Sequence, residues 1–329
     1  MPVVSLMLAA VSYRWVETPF RSSRVFAQSS TRGLILGGTM ALLIAASATA
    51  VGRYAHHELA KPQYSQLFQS RVPAPRGESC QHRFDGEELT QCVLGDSSSL
   101  RSIALFGDSH ATHLIPAVER AAAALHLRVY FFAKSGCPWT NVTAFVPSRQ
   151  LPYLGCDRWR ERVMEYLDAH PPELIIVAAK GRFIVADSTG KQFTADADSA
   201  RFASTWRRGA ESTLRRLSRH SKVLLVRDVP LPGFNVSICI ERNIDDPAKC
   251  SFARAKAVAG PPWGEDARVA DAISGVRLLD LSDEMCEGAQ CSAIIGGAVT
   301  YRDGNHLTAQ FARSLAHRFE LEFTRLLHQ

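Results

Sequence analysis

Residues 33–51, GLILGGTMALLIAASATAV, run for 19 positions without a charge, and no other feature limits the fold of this chain so tightly. A helix of that length is about what a hydrocarbon core of ~30 Å requires. Arg21, Arg24 and Arg32 precede the run, whereas Arg53 and Lys61 follow it. The basic excess on the N-terminal side predicts that end in the cytoplasm and the bulk of the chain outside. Ala48-Thr49-Ala50 also looks like a small-residue cleavage site, so a late signal peptide is the rival reading. Either way, everything beyond the run leaves the cytoplasm.

The cysteines agree with that placement. All eight (Cys80, Cys92, Cys137, Cys156, Cys239, Cys250, Cys286 and Cys291) lie beyond the apolar run. Their spacings are wide and contain no CxxC, which speaks against a metal site. An even number on one side of an apolar segment fits disulfides made in an oxidising compartment. Eight cysteines permit about a hundred pairings. Pairing of nearest neighbours is expected, since Cys80–Cys92, Cys137–Cys156, Cys239–Cys250 and Cys286–Cys291 each bracket a plausible loop. Reduced, buried thiols are the alternative.

The 329 residues are 46% apolar and 21% charged, an ordinary globular balance. The net charge is +6, and no Lys/Arg block exceeds two residues, so nucleic acid is a poor partner. Residues 52–79 carry Pro, Gln and Ser with little periodicity and read as a linker. Residues 80–329 then alternate short apolar runs with amphipathic stretches. Strands are predicted over 102–106, 128–133, 173–179, 222–228 and 276–281. Helices are predicted over 111–126, 158–169, 202–220 and 307–327. That alternation predicts an α/β fold, a parallel sheet covered by helices on both faces.

Two motifs carry chemistry. Phe106-Gly107-Asp108-Ser109-His110 falls where the first strand ends and a helix begins, the place where parallel sheets hold their ligands. A serine there meets free main-chain N–H groups. Near the other end, Tyr301-Arg302-Asp303-Gly304-Asn305-His306-Leu307-Thr308 precedes the last helix. An Asp and a His three apart can both face one serine, with the imidazole taking its proton and the carboxylate orienting the ring. Each motif alone also reads as helix capping; together they point to nucleophilic catalysis.

These residues resemble the SGNH (GDSL-like) hydrolase superfamily, and more narrowly the SGNH domains fused behind acyltransferase-3 membrane domains in bacterial O-antigen, lipooligosaccharide and peptidoglycan O-acetyltransferases. Tyr13-Arg14-Trp15-Val16-Glu17-Thr18-Pro19-Phe20-Arg21 is similar to the signature that closes the acyltransferase-3 membrane domain. The resemblance implies that residues 1–32 are the tail of such a domain, 33–51 a transmembrane helix, and 80–329 a three-layer, flavodoxin-like SGNH domain. It implies Ser109 as nucleophile, His306 as general base and Asp303 as its partner. It implies an oxyanion hole from the N–H groups of Ser109 and Gly136, the latter in Lys134-Ser135-Gly136-Cys137-Pro138. No metal and no bound cofactor are expected. Acetyl groups would come from acetyl-CoA through an acyltransferase-3 membrane half, carried by a separate chain or missing from a truncated product. The expected acceptor is an envelope polysaccharide or lipooligosaccharide at the bacterial inner membrane, with the C-terminal domain in the periplasm.

One departure stands out. The family places an asparagine after the third strand as an oxyanion donor, but this chain reads Val177-Ala178-Ala179-Lys180-Gly181-Arg182-Phe183. Losing such a donor costs roughly 100- to 1000-fold in turnover. Arg182 is a candidate to compensate or to hold substrate, and His110 is a candidate substrate contact. Three readings follow: O-acetyl transfer, acetyl-ester hydrolysis on the same glycan, and a catalytically degenerate glycan-binding domain.

Overall fold

The structure, a computed structural model, describes residues 2–18, 30–59, 77–90 and 92–328. The chain forms two compact units, residues 1–65 and 66–329.

The described part of the first unit is helical. Helix α1 (Pro2–Ser12) leads into a π-helical turn over Tyr13–Glu17. Pro19, Phe20, Arg21 and Arg24 lie outside the described residues. Helix α2 (Ser30–Leu59) has 30 residues and contains the one stretch long and apolar enough to cross a membrane, Thr31–His57, among the described residues. It overruns the charge-free segment at both ends, because once nucleated a helix gains a hydrogen bond for each residue added. The linker expected from residue 52 therefore starts no earlier than residue 60, and residues 60–76 lie outside the described part. Leu34, Leu42, Leu43 and Ile44 are exposed, as in a membrane span or a signal sequence.

The second unit is an α/β sandwich of three layers. Its sheet contains β1 (Gln81–His82), β2 (Cys92–Gly95), β3 (Ser102–Gly107), β4 (Arg128–Lys134), β5 (Leu174–Ala178), β6 (Lys222–Val226) and β7 (Val276–Leu279). Five strands run parallel in the order β4-β3-β5-β6-β7. Strands β1 and β2 both pair with β4, parallel and antiparallel respectively. Strand side chains alternate between faces, and two cores result. Ile103, Leu105, Ile176 and Leu224 pack against α4 (Ile115–Ala124) and the C-terminal α8 (Ala309–Ser314) and α9 (Ala316–Leu327). Ala104, Phe106, Val177 and Leu225 pack against α5 (Leu154–Ala169), α6 (Ser199–Leu217) and α7 (Pro261–Ala272). Burial on both faces explains why the central strands are continuous apolar runs.

The helix expected over 111–126 is two helices. A short α3 (Ser109–His113) ends at Leu114, and α4 restarts there with Pro116 in its first turn, where a missing N–H costs nothing. All eight cysteines are bonded, each to its nearest neighbour in the chain: Cys80–Cys92, Cys137–Cys156, Cys239–Cys250 and Cys286–Cys291. Four disulfides on one unit mark it as a domain that matures outside the reducing cytoplasm.

Candidate active site

Gly107 closes β3. A Cβ at this position would lie 1.8 Å from the carbonyl oxygen of Ala178, so only glycine lets the ends of β3 and β5 approach. Asp108 then caps α3, its Oδ1 accepting the His110 N–H at 2.7 Å and its Oδ2 the Lys180 N–H at 3.2 Å. This carboxyl is buried, and burial pushes its pKa up. The cap sets Ser109 as the first residue of α3 at the carboxyl end of the central sheet. Its own N–H, in the first turn, has no partner inside the helix.

The loop 302–308 faces it. Its ends are closed by a bridge between Tyr301 and Leu307 and by the Arg302 N–H donating to the His306 carbonyl at 2.9 Å. Asp303 Oδ1 accepts the N–H groups of Asn305 and His306 at 2.9 and 2.8 Å. Its Oδ2 accepts the proton of His306 Nδ1 at 2.8 Å, which leaves Nε2 as acceptor for the Ser109 hydroxyl at 2.9 Å. Burial works against the charge on Asp303, but these three hydrogen bonds outweigh it and hold the carboxyl well below the usual range. Residues 197 positions apart therefore meet in one relay line.

His110 stands elsewhere than expected. Its side chain is 2% exposed and turned away from the cleft, with Nδ1 2.6 Å from Asp228 Oδ1, so it does not reach a substrate. Burial disfavours its charge, yet the adjacent Asp228 carboxylate prevails and raises its pKa. Asp228 also accepts the N–H groups of Gly181 at 2.7 Å and Val229 at 2.8 Å. It thus ties α3 to the loops that follow β5 and β6. His113 packs between, with Nδ1 accepting the Leu307 N–H at 3.4 Å. Burial, then the neighbouring His110 and His306, push its pKa well below the ordinary value, so it is a neutral spacer. The rings of His110 and His306 sit 5.1 Å apart.

A cleft of about 400 Å³ opens over Ser109 and His306. Gly136 lines it in a left-handed conformation, φ 62°, and Cys137 next to it is bonded to Cys156 on α5. The Phe84 ring covers Gly136, 3.3 Å from where a Cβ would lie. Phe84 is held there by buried Lys134, whose Nζ donates to the carbonyls of Arg83, at 2.9 Å, and Gly86. Phe145, Tyr153 and Phe183 complete an aromatic wall, and Lys180 and Arg182 line the same cleft. Arg182 is exposed, and its guanidinium donates to the Ala259 carbonyl at 3.3 Å. Asp228, Lys180 and the aromatic wall were not singled out from the sequence. The one available signal for Asp228 was an acid two residues beyond the end of a buried strand, the position from which parallel sheets serve their sites.

A serine, an imidazole and a carboxylate in line at the carboxyl end of a five-stranded parallel sheet define a serine-esterase-type α/β domain. The model of the SGNH domain of the kind fused to AT3 domains matches residues 79–321, and the chain belongs to that family. Among solved structures, the fold is that of the lipopolysaccharide acetyltransferase periplasmic domain of Salmonella ser. Paratyphi A. The match has a TM-score of 0.52 and 13% identity, covering 70% of this chain and 85% of that one. A carbohydrate acetylesterase family member from Sinorhizobium meliloti aligns with TM-score 0.40 and 15% identity over 70% of this chain and all of that one. No curated protein matches the sequence.

Proposed function

We propose that the chain transfers acetyl groups to hydroxyls of a cell-envelope glycan through an acyl-enzyme on Ser109. The observation that carries this reading is the unbroken line from Asp303 through His306 to Ser109, opening onto a cleft large enough for a sugar. In the first half-reaction Ser109 Oγ attacks the acetyl carbonyl carbon while its proton passes to His306 Nε2. The tetrahedral oxyanion is met by the N–H groups of Ser109 and Gly136. It collapses as the leaving group takes the proton from Nε2. In the second half-reaction a sugar hydroxyl attacks the acyl carbon, gives its proton to Nε2, and Ser109 departs reprotonated. Asp303 holds the imidazole tautomer and stabilises the imidazolium throughout.

The acetyl donor in this reading derives from cytoplasmic acetyl-CoA and is delivered by an acyltransferase-3 membrane domain, the partner to which domains of this family are fused. Helix α2 anchors the chain in the inner membrane, with the disulfide-bonded domain in the periplasm. The lack of an asparagine after β5 fits a slow transferase or a degenerate site, since one oxyanion donor is worth roughly 100- to 1000-fold. The test uses the full chain in neutral detergent with an aryl acetate as donor, an oligosaccharide as acceptor, and Ser109→Ala as control. Acetylated sugar formed only by the wild type supports transfer. Free acetate as the sole product makes the domain an esterase, and equal background in both leaves only a glycan-binding module.

A further inference from the structure

Two cations on the cleft, unlike its carboxylates, are not engaged by the protein's own charges. Every carboxylate around the cleft is engaged by the protein itself. Asp303 is taken by His306, two main-chain N–H groups and Arg302, whose Nε lies 3.7 Å away. Asp108 is taken by the N–H groups of His110 and Lys180, and Asp228 by the His110 ring and those of Gly181 and Val229. At the rim Asp85, beside Phe84, pairs with Arg149 at 2.5 Å. Lys180 and Arg182 are the exception. Both line the cleft, two positions apart on the loop after β5, and neither has a carboxylate within ion-pair distance among the described residues. They stand on the cleft beside an aromatic wall that offers them no charge of its own. Cations set beside low-dielectric walls attract counter-ions.

The loop that carries these cations is anchored at three points. The Lys180 N–H is held by Asp108, the Gly181 N–H by Asp228, and the Arg182 guanidinium by the Ala259 carbonyl. The same two buried carboxylates that set Ser109 therefore set the loop bearing the cations. On the same cleft the Phe84 ring is 40% exposed and packs on Tyr153, with centroids 5.3 Å apart, and such an aromatic ring suits the apolar face of a pyranose.

We infer that the saccharide seated in this cleft carries a negative group, a carboxylate or a phosphate, held by Lys180 and Arg182 while a hydroxyl of the same sugar or its neighbour reaches Ser109. This rests on the reading that the cleft receives a glycan. A guanidinium supplies paired donors to a planar carboxylate or a phosphate, and an ammonium adds a point charge. Neutral sugars would leave both cations unpaired.

The test measures binding, with chemistry switched off. The full chain carrying Ser109→Ala, in neutral detergent, is titrated calorimetrically with three matched probes: 4-nitrophenyl β-glucuronide, 4-nitrophenyl β-glucoside 6-phosphate and neutral 4-nitrophenyl β-glucoside. At least one charged probe binds about tenfold more tightly than the neutral one at low salt, and the preference shrinks at roughly 0.5 M salt. The carboxylate and phosphate probes tell the two anion chemistries apart. Lys180→Gln/Arg182→Gln in the same background abolishes the preference, and Arg182→Gln alone, at an exposed side chain that the fold does not need, reduces it. Equal affinities for charged and neutral probes, no binding of any probe, or a preference that survives in the double variant would each overturn the inference. If turnover is absent in the wild type while the charged probes still bind preferentially, the transferase reading fails and the anionic ligand stands.

Discussion

Two histidine–aspartate pairs lie side by side in this domain, with imidazoles 5.1 Å apart, and they do opposite jobs. His306–Asp303 sits on a loop at the mouth of the cleft, with side chains 20% and 37% exposed, and offers its free nitrogen to Ser109. His110–Asp228 is closed off at 2% and 3%, and Asp228 spends its remaining valences on main-chain N–H groups of two loops. The chemistry of the side chains is the same; the difference is access. One pair has a serine hydroxyl on its open side, the arrangement a proton relay needs, and the other has none and works as a clamp.

The sharpest way to break this contrast is substitution at the open pair. His306→Asn is expected to lower ester turnover by on the order of 10⁴-fold while lowering the melting temperature far less than a change at the closed pair does, since the ring is part-exposed at the mouth of the cleft. Turnover is read with an aryl acetate and folding by circular dichroism. Next comes Asp303→Asn, which should cost at least about 10³-fold by permitting the wrong imidazole tautomer. Both losses should appear in kcat more than in KM.

The closed pair should respond the other way round. Asp228→Asn leaves a buried imidazole without its counter-charge and frees Gly181, so it is expected to destabilise the domain by about 3 kcal/mol. Denaturant titration reads the loss, and the residual folded protein should keep more turnover than His306→Asn does. A stable Asp228→Asn variant with turnover as low as that of His306→Asn would assign the closed pair a direct part in proton transfer.

The smallest effect is in pH dependence, where the pairs have opposite signs. Asp303 titrates lower in the folded chain than its ordinary 3.8, so the stability it confers is present above that value and is lost as the pH falls through the folded one. His110 titrates higher than its ordinary 6.5, so its stability is complete below that value and is lost as the pH rises through the folded one. Melting curves across the pH range should therefore flatten on the acid side in Asp303→Asn and on the alkaline side in His110→Gln/Asp228→Asn. A double variant that melts with the wild-type alkaline slope would remove the clamp from the explanation.

The open pair was legible in the chain and the closed one was not, for a physical reason. Asp303 and His306 are three apart and carry their geometry locally, and the turn after β3 needs Gly107 and a capping Asp108 wherever it occurs. The cysteines pair within short segments, so proximity in sequence stands in for proximity in space. His110 and Asp228 are 118 positions apart, and nothing in the spacing of either foretells the other. The aromatic wall is likewise assembled by the sheet order, with Phe84 seated over Gly136 through the buried Lys134 side chain. Strand centres were legible from continuous apolar runs, whereas the break at Leu114 depended on where Pro116 falls in a stretch that is otherwise a good helix.

The most direct measurement of the open pair's function is intact-mass and peptide mass spectrometry of the full chain, quenched in acid seconds after mixing with an activated acetyl ester. One acetyl group on the peptide containing Ser109, absent from Ser109→Ala and discharged on adding an oligosaccharide acceptor, is the predicted result. Ester turnover with Ser109 never modified, or acetylation confined to other residues, would contradict it.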